Sequence, residues 1–182
     1  KVLQSDKGDS IIPIALGTYG NLSVITAPPK TRKTFFVSLL ASAFLSGTNI
    51  YGGQIKGHRG DGDLIHIDTE QGSWHASKVF RRPLDMDSNI PKDKYHTFAL
   101  RTVGFKERLQ FIEHYLKEKI TEPSLVILDG IADLCSDVNN IQQSNELVSA
   151  LMRISQQQNV HIICVIHQNF GSAKLGTGHL GS

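Results

Sequence analysis

Residues 27–34 contain the side chains whose chemistry is most easily read from this chain. An apolar run at 22–26 predicts a buried strand before this octapeptide, and the run at 35–45 predicts an apolar helix after it. In a loop of this kind, backbone N–H groups and the positive end of the following helix surround a polyphosphate, and one lysine reaches the terminal phosphates. The octapeptide therefore predicts a phosphate-binding loop, with these members: Ala27, Pro28, Pro29, Lys30, Thr31, Arg32, Lys33 and Thr34.

Two positions of the loop depart from the usual pattern, which has glycine first and again just before the lysine. Ala27 and Arg32 stand at those positions. Arg32 is compatible with such a loop if its backbone φ is negative or if the strain of a positive φ is offset elsewhere. On the octapeptide alone, a basic turn that caps an ordinary helix is an equally good interpretation.

Acidic and polar side chains follow three more apolar runs, in each case where a predicted strand ends. These are Asp68, Thr69 and Glu70 after 64–67, Asp129 after 125–128, and His167, Gln168 and Asn169 after 161–166. Hydroxyl and carboxylate oxygens at Thr34 and Asp129 suit Mg²⁺. Glu70 is placed to orient or deprotonate a water, and Gln168 to hydrogen-bond a γ-phosphate. Taken singly, each has a plainer interpretation as a turn, cap or loop residue.

The order of elements predicts the fold class. Strands alternate with helices, which favours an α/β fold with a mostly parallel, twisted sheet of about five or more strands and helices on both faces. Carboxyl ends of parallel strands share one edge, so the four polar strand ends are expected to meet there. The remaining predicted elements are helices at 73–80, 105–119 and 141–158, a strand at 95–100, and an exposed glycine-rich turn or hairpin at 47–62.

The order of these motifs resembles the RecA-like P-loop ATPase core, and within it the RepA-like hexameric helicase ATPases of plasmids and mobile elements. The resemblance extends from about residue 22 to residue 182, with a degenerate Walker A loop at 27–34. It implies ATP and Mg²⁺ as ligands. The loop and Asp129 would bind the nucleotide, and Thr34 and Asp129 would bind the metal. The implied catalytic residues are Lys33, Glu70 and Gln168, with Glu70 as the catalytic glutamate and Gln168 as the sensor that couples hydrolysis to DNA.

The resemblance also implies a partner and an assembly. The segment 169–182 matches in position the mobile loop with which RecA-like proteins contact single-stranded DNA, and its composition independently indicates flexibility or a tail. The resemblance implies a ring or filament of identical copies. Residues 1–182 are expected to form a single domain that ends before the last strands of such a core. The candidate DNA contacts are Lys174, Gly176, Gly178 and His179.

Composition sets wider limits on function. The chain has 182 residues, 40% of them hydrophobic and 20% charged, as in ordinary globular domains. Its net charge of +2 is too small to indicate nucleic-acid binding by itself. Without a membrane-length run or a signal-peptide pattern, we expect no membrane partner and a cytoplasmic location. Cys135 and Cys164 lack metal-site spacing and are expected to be buried thiols.

Three functions stay open at this stage. The first is a Mg²⁺-dependent, helicase-like ATPase that acts on single-stranded DNA in the replication or mobilisation of a mobile element. The second is a non-enzymatic nucleotide-binding or oligomerisation module with an impaired phosphate loop. The third, a small-molecule phosphotransferase, ranks last because no acceptor-binding lid is visible. Tyr19 and the segment 81–83 are candidate adenine contacts, although packing and a solvated surface explain them equally well.

Overall fold

Nine strands and four α-helices form the fold, in a computed structural model that describes residues 3–5, 14–28, 30–50, 54–137 and 139–167. The strands are β1 (Leu3–Ser5), β2 (Ile14–Gly17), β3 (Leu22–Ala27), β4 (Asn49–Ile50), β5 (Ile55–Gly57), β6 (Asp63–Asp68), β7 (Tyr95–Ala99), β8 (Pro123–Asp129) and β9 (His161–His167). The helices are α1 (Lys33–Ser46), α2 (Ser73–Met86), α3 (Phe105–Glu118) and α4 (Ile141–Gln157), with short 3-10 helices at Lys92–Lys94 and Ile131–Leu134.

A five-stranded parallel sheet lies at the centre, in the order β3-β9-β8-β6-β7. Side chains alternate between its two faces, and each face has its own apolar cluster. Ile65 and Ile67 of β6 pack with α3 and α4, whereas Leu64 packs with α1. Burial on both faces explains why the central strands are nearly continuous apolar runs. The predicted α/β class, with a parallel sheet and helices on both faces, is confirmed.

A second, antiparallel sheet, in the order β2-β1-β5-β4, packs beside α1. Its strands β4 and β5 occupy the glycine-rich stretch 47–62 and form an antiparallel pair, as a hairpin there would. The expected full exposure is wrong, because β5 also pairs with β1 and its residues Ile55 and Gly57 are buried. A Cβ at Gly57 would overlap the carbonyl oxygen of Ala43, so glycine is required for β5 to lie against α1.

The helices agree with the predicted ones to within a residue or two, except for α2. That helix was expected to end at Phe80, yet it continues to Met86 with the buried Pro83 inside it. A proline costs a helix one intrahelical hydrogen bond, and burial of its ring offsets part of that cost. None of the helices in the described ranges is both long and apolar enough to cross a bilayer.

Candidate functional site

The octapeptide joins β3 to α1, as the sequence predicts for a phosphate loop. Thr31 Oγ1 donates a hydrogen bond of 2.7 Å to the carbonyl oxygen of Pro28, which closes the loop upon itself. The first turn of α1 contains no acidic residue, and its N-cap residue, Arg32, makes no side-chain capping hydrogen bond. The first N–H groups of a helix have no intrahelical acceptor, so this end of α1 favours an anion. Pro29 lies outside the described residues.

Arg32 has left-handed backbone geometry, with φ 65° and ψ 28°. The sequence allowed either a negative φ at Arg32 or a positive φ with backbone strain, and the structure has the positive φ. A non-glycine residue in this region costs about 1–2 kcal/mol. Lys30 also has φ 65°. The loop thus keeps a glycine-type conformation at the position before the lysine although glycine is absent.

Lys33 points back across the loop. Only 8% of the residue is exposed, and its Nζ donates to the carbonyl oxygens of Ala27, at 2.6 Å, and Pro28, at 3.0 Å. Burial lowers the pKa of the Lys33 ammonium, and the nearby carboxylates of Glu70 and Asp129 partly oppose that shift. Both carboxylates that the sequence predicts to converge with Lys33 are therefore within electrostatic range of its ammonium.

A tight turn after β6 holds Glu70. Asp68 is 1% exposed, and its Oδ1 accepts hydrogen bonds from the backbone N–H groups of Glu70, at 3.0 Å, and Gln71, at 2.8 Å. Burial raises the pKa of the Asp68 carboxyl, and a charge on Asp133 adds to the increase. Glu70 is therefore not in a plain loop, because a buried side chain fixes its backbone.

The ends of β6 and β8 are locked together. Asp68 and Asp129 are register partners on these neighbouring strands. Thr69 Oγ1 donates to the carbonyl oxygen of Gly130 at 2.7 Å, and the Thr69 N–H donates to that of Asp129 at 3.0 Å. Gly130 has φ 101°, and a Cβ there would overlap Thr69 Oγ1. Asp129 followed by glycine therefore makes the predicted turn and also places a buried carboxylate at the shared sheet edge.

A cleft of about 290 Å³ opens between the loop and α2. Gln71, Val79 and Arg82 line it from the α2 side, opposite residues 30–35. The guanidinium carbon of Arg82 lies 4.3 Å from the centre of the Phe35 ring. The sequence leaves Arg82 open between an adenine contact, packing and a solvated surface, and the structure brings it to the cleft because α2 extends past residue 80. In the sequence, only a longer prediction for α2 could have placed Arg82 at the cleft.

The other predicted site residues are placed as follows. Asp129 lies level with Val165 on β9, and Ala27 lies level with His167, so the end of β9 reaches the same edge. Tyr19 does not line the cleft, and its hydroxyl donates a long, 3.4 Å hydrogen bond to Ser124 Oγ. The following residues lie outside the described ones: Gln168, Lys174, Gly176, Gly178 and His179.

The arrangement fits a nucleotide-bound Mg²⁺ better than a metal held by protein alone. No group of three or more histidine, cysteine or acidic residues suited to a metal occurs in the described ranges. A Mg²⁺ ion on a nucleotide needs only one or two protein oxygens beside phosphates and water. The Thr34 hydroxyl at the start of α1 and the Asp129 carboxylate at the end of β8 are oxygens of that kind. The residues present therefore fit the implied ion.

Comparisons with known proteins agree with this architecture. The family described as "AAA domain" matches residues 13–173. Among 366 matching chains of solved structures is one titled "Crystal structure of the RadB recombinase", with a TM-score of 0.53 and 17% sequence identity. The alignment covers 86% of this chain and 66% of the RadB chain, just under two thirds of its length. None of the curated proteins matches. The similarity confirms the RecA-like P-loop ATPase fold.

Proposed function

The chain belongs to the AAA domain family, and from this we propose that it is a Mg²⁺-dependent ATPase that couples hydrolysis to single-stranded DNA. One observation carries the proposal. The Lys33 ammonium, at the start of α1, is within electrostatic range of the carboxylates of Glu70 and Asp129, which come from two other strand ends. A lysine ammonium and two carboxylates near an uncapped helix N-terminus supply the charges with which proteins bind a nucleotide's phosphates and metal ion.

The phosphates of ATP would lie at the N-terminus of α1. Lys33 would exchange its hydrogen bonds to the loop carbonyls for bonds to phosphate oxygens, which are stronger acceptors because they are charged. Lys30 and Arg32 are exposed on the same loop and add positive charge. Arg82 and the Phe35 ring beside it offer a cationic and aromatic surface next to the cleft, and we assign them to the nucleotide as well.

Thr34 and Asp129 would hold the ion. When bound, Mg²⁺ neutralises charge on the outer phosphates. Both residues present hard oxygens from rigid elements, one from the first turn of α1 and one from the end of a central strand. The glycine after Asp129 leaves room for the Thr69 and Glu70 side chains beside the carboxylate.

Glu70 would orient and deprotonate the attacking water. A general base must be held within hydrogen-bond reach of its substrate, and the backbone hydrogen bonds donated to Asp68 fix the segment from which Glu70 extends. Gln168, the residue after β9, is our candidate for sensing the γ-phosphate. Segment 169–182, which follows it, is our candidate for the DNA contact.

The wider role is proposed on the same basis. We infer a RepA-like helicase of a mobile element, working as a ring or filament of identical copies with residues 1–182 as a single ATPase domain, because this accounts for the order of motifs. The structural similarity to a protein named a recombinase supports a DNA partner.

Release of phosphate from ATP tests the catalytic part. The parent protein should hydrolyse ATP with Mg²⁺ and stop when EDTA is added. Glu70→Gln should lower kcat about 100-fold or more with little change in KM, because a general base typically contributes 10²–10⁴-fold. Glu122→Gln, an exposed glutamate just before β8 at the opposite edge of the sheet, should behave like the parent. Equal rates for the parent and Glu70→Gln would remove the proposed catalytic role.

One observation favours a second candidate, a nucleotide-binding module without turnover. The Lys33 ammonium already has two loop acceptors, and the backbone at Arg32 is strained. Calorimetric titration with a slowly hydrolysed ATP analogue separates the two cases when paired with the hydrolysis assay. If the protein is such a module, it releases no phosphate in any condition, whether or not the analogue binds. An ATPase binds the analogue and also releases phosphate from ATP.

A further inference from the structure

The first turn of α2 exposes the only tryptophan of the chain. Trp74 is 63% exposed, although tryptophan is highly buried on average. Lys78 lies one helical turn later, with its Nζ 3.4 Å from the centre of the indole ring, and the His75 ring meets the indole edge-on at 4.6 Å. We call these three residues the Trp74 platform. The Lys78 ammonium lies over one face of the indole, and the Trp74 side chain remains largely exposed beside this positive charge.

The charge of α2 extends the platform along the helix. Lys78, Arg81 and Arg82 are cations, and Asp85 is the single carboxylate of the helix. Asp85 pairs with Arg81 at 3.3 Å, but both side chains are mostly exposed, so the pair is weak and Arg81 remains able to contact another anion. The exposed Lys30 and Arg32 lie on the loop before α1, which packs against α2. This side of the molecule therefore favours a polyanion.

The surroundings of Trp74 argue against a dry protein interface. Its exposed neighbours on the helix are Ser73 and Ser77, and the other large apolar residue exposed on α2, Met86, lies at the far end. The tryptophan hot spots of protein interfaces lie among other residues that exclude water, and this one has a polar and cationic border. Exposed aromatic rings beside cations are the means by which proteins bind single strands without reading their sequence.

We propose that the Trp74 platform stacks a base of single-stranded nucleic acid, with Lys78 and Arg81 contacting the adjacent phosphates. The inference deepens the proposed function by naming a surface for its single-stranded partner, apart from segment 169–182. Trp74 is four residues from Glu70, and the turn between them is fixed by Asp68. A base on this surface would therefore lie at the start of the helix that follows the turn with the proposed general base.

The single tryptophan makes the test direct, because all indole fluorescence comes from the platform. A short oligo(dT) strand, titrated at low salt without nucleotide, should quench this fluorescence. Anisotropy of a labelled oligo(dT) should show that Trp74→Ala binds about 5- to 150-fold more weakly, the range expected for the loss of one stacked base. Trp74→Phe should restore most of the binding.

Salt dependence tests the phosphate contacts. Lys78→Gln should reduce the slope of log affinity against log salt by about 0.7, the value for one single-strand phosphate contact. Lys117→Gln changes another exposed lysine, on α3 at the other face of the sheet, and it should leave both affinity and slope unchanged. Urea midpoints of all variants should match that of the parent, since these side chains are exposed.

Four outcomes would overturn the inference. These are oligo(dT) binding by anisotropy with unchanged fluorescence, parent-like binding by Trp74→Ala, no binding at low salt, and fluorescence that responds to protein concentration but not to oligo(dT), which would mark a contact between copies. The titrations contain no ATP, so a parent protein that fails to hydrolyse ATP leaves them fully interpretable. Loss of oligo(dT) binding by Trp74→Ala with the unstimulated ATPase rate retained would support the inference and the proposed enzyme together.

Discussion

At the scale of single residues, the strained backbone of Arg32 says most about the phosphate loop. Left-handed geometry is normally left to glycine, because a Cβ crowds the backbone there. The chain accepts this cost where the loop turns into α1 and gains a cation at the mouth of the cleft. Asp68 has a complementary role, since its burial and two backbone hydrogen bonds fix the turn on which Glu70 lies.

Replacing Arg32 by glycine and by alanine tests its conformation. Both variants lose the same side chain, but only glycine relieves a positive φ. We expect Arg32→Gly to be more stable than Arg32→Ala by about 1 kcal/mol. At an ordinary helix or strand position the order would be reversed by about 0.5–1 kcal/mol. Urea unfolding measures the difference, and an alanine variant at least as stable as the glycine one would contradict the observed geometry.

Between elements, one buried arginine joins three parts of the fold near the site. Arg108, on the first turn of α3, is 8% exposed. Its Nε donates to the carbonyl oxygen of Leu100 at 3.0 Å, Nη1 to that of Asp133 at 2.6 Å, and Nη2 to that of Arg101 at 2.8 Å. These bonds connect the segment after β7, the start of α3 and the 3-10 helix after β8. Arg108 thereby anchors the 3-10 helix that follows β8 and Asp129.

Substituting lysine at this position tests the connection. Arg108→Lys keeps the charge, but an ammonium cannot reproduce the planar fork that reaches three carbonyl groups. We expect the free energy of unfolding to fall by about 1–3 kcal/mol, because at least one buried carbonyl loses its donor. Arg101→Lys, an exposed site in the preceding loop, should change it by less than about 0.5 kcal/mol. Similar changes in the two variants, measured by chemical unfolding, would show that the buried bonds contribute little.

For the whole molecule, the central sheet separates two apolar clusters, one with α1 and one with α3 and α4. His66, in the middle of β6, is a fully buried titratable group of this arrangement. Its Nδ1 hydrogen-bonds Tyr95 Oη at 2.8 Å, its ring lies 5.0 Å from that of Phe80, and its Nε2 has no hydrogen-bond partner within the described ranges. Burial lowers the pKa of His66 from 6.5 to about 3.

Acid should therefore destabilise the fold through this histidine. The folded-state pKa lies below the unfolded one, so the unfolded chain takes up the proton first as the pH falls. The contribution is complete above about pH 6.5 and is lost towards pH 3, by up to about 1.4 kcal/mol per pH unit. His66→Leu combined with Tyr95→Phe removes both polar partners. Unfolding at pH 7 and pH 5 should show a smaller loss for the double variant than for the parent, and equal losses would contradict the assignment.

The sequence predicts the bounds of some strands and helices much better than those of others. The apolar runs and the helical periodicity of 105–119 and 141–158 place the five main strands and three of the four helices almost to the residue, because both signals are local. The end of α2 is predicted wrongly, since a proline ordinarily terminates a helix, whereas the buried Pro83 lies inside this one. The short strands β1 and β2 were not predicted, because three- and four-residue strands depend on pairing partners far along the chain.

The amino-acid sequence by itself determined which side chains could do chemistry, namely Lys33, Glu70 and Asp129, and that each follows or begins a regular element. The tertiary structure decided that both carboxylates lie within electrostatic range of the Lys33 ammonium. Strand β9 is the last strand of the described ranges, yet it enters the sheet between β3 and β8, and no local pattern encodes such an order. The positive φ of Arg32, the buried Asp68 beneath Glu70 and the arrival of Arg82 at the cleft likewise depend on contacts between distant segments. Residue type and periodicity are properties of neighbours in sequence, whereas strand order, burial and backbone strain are set by packing across the whole fold.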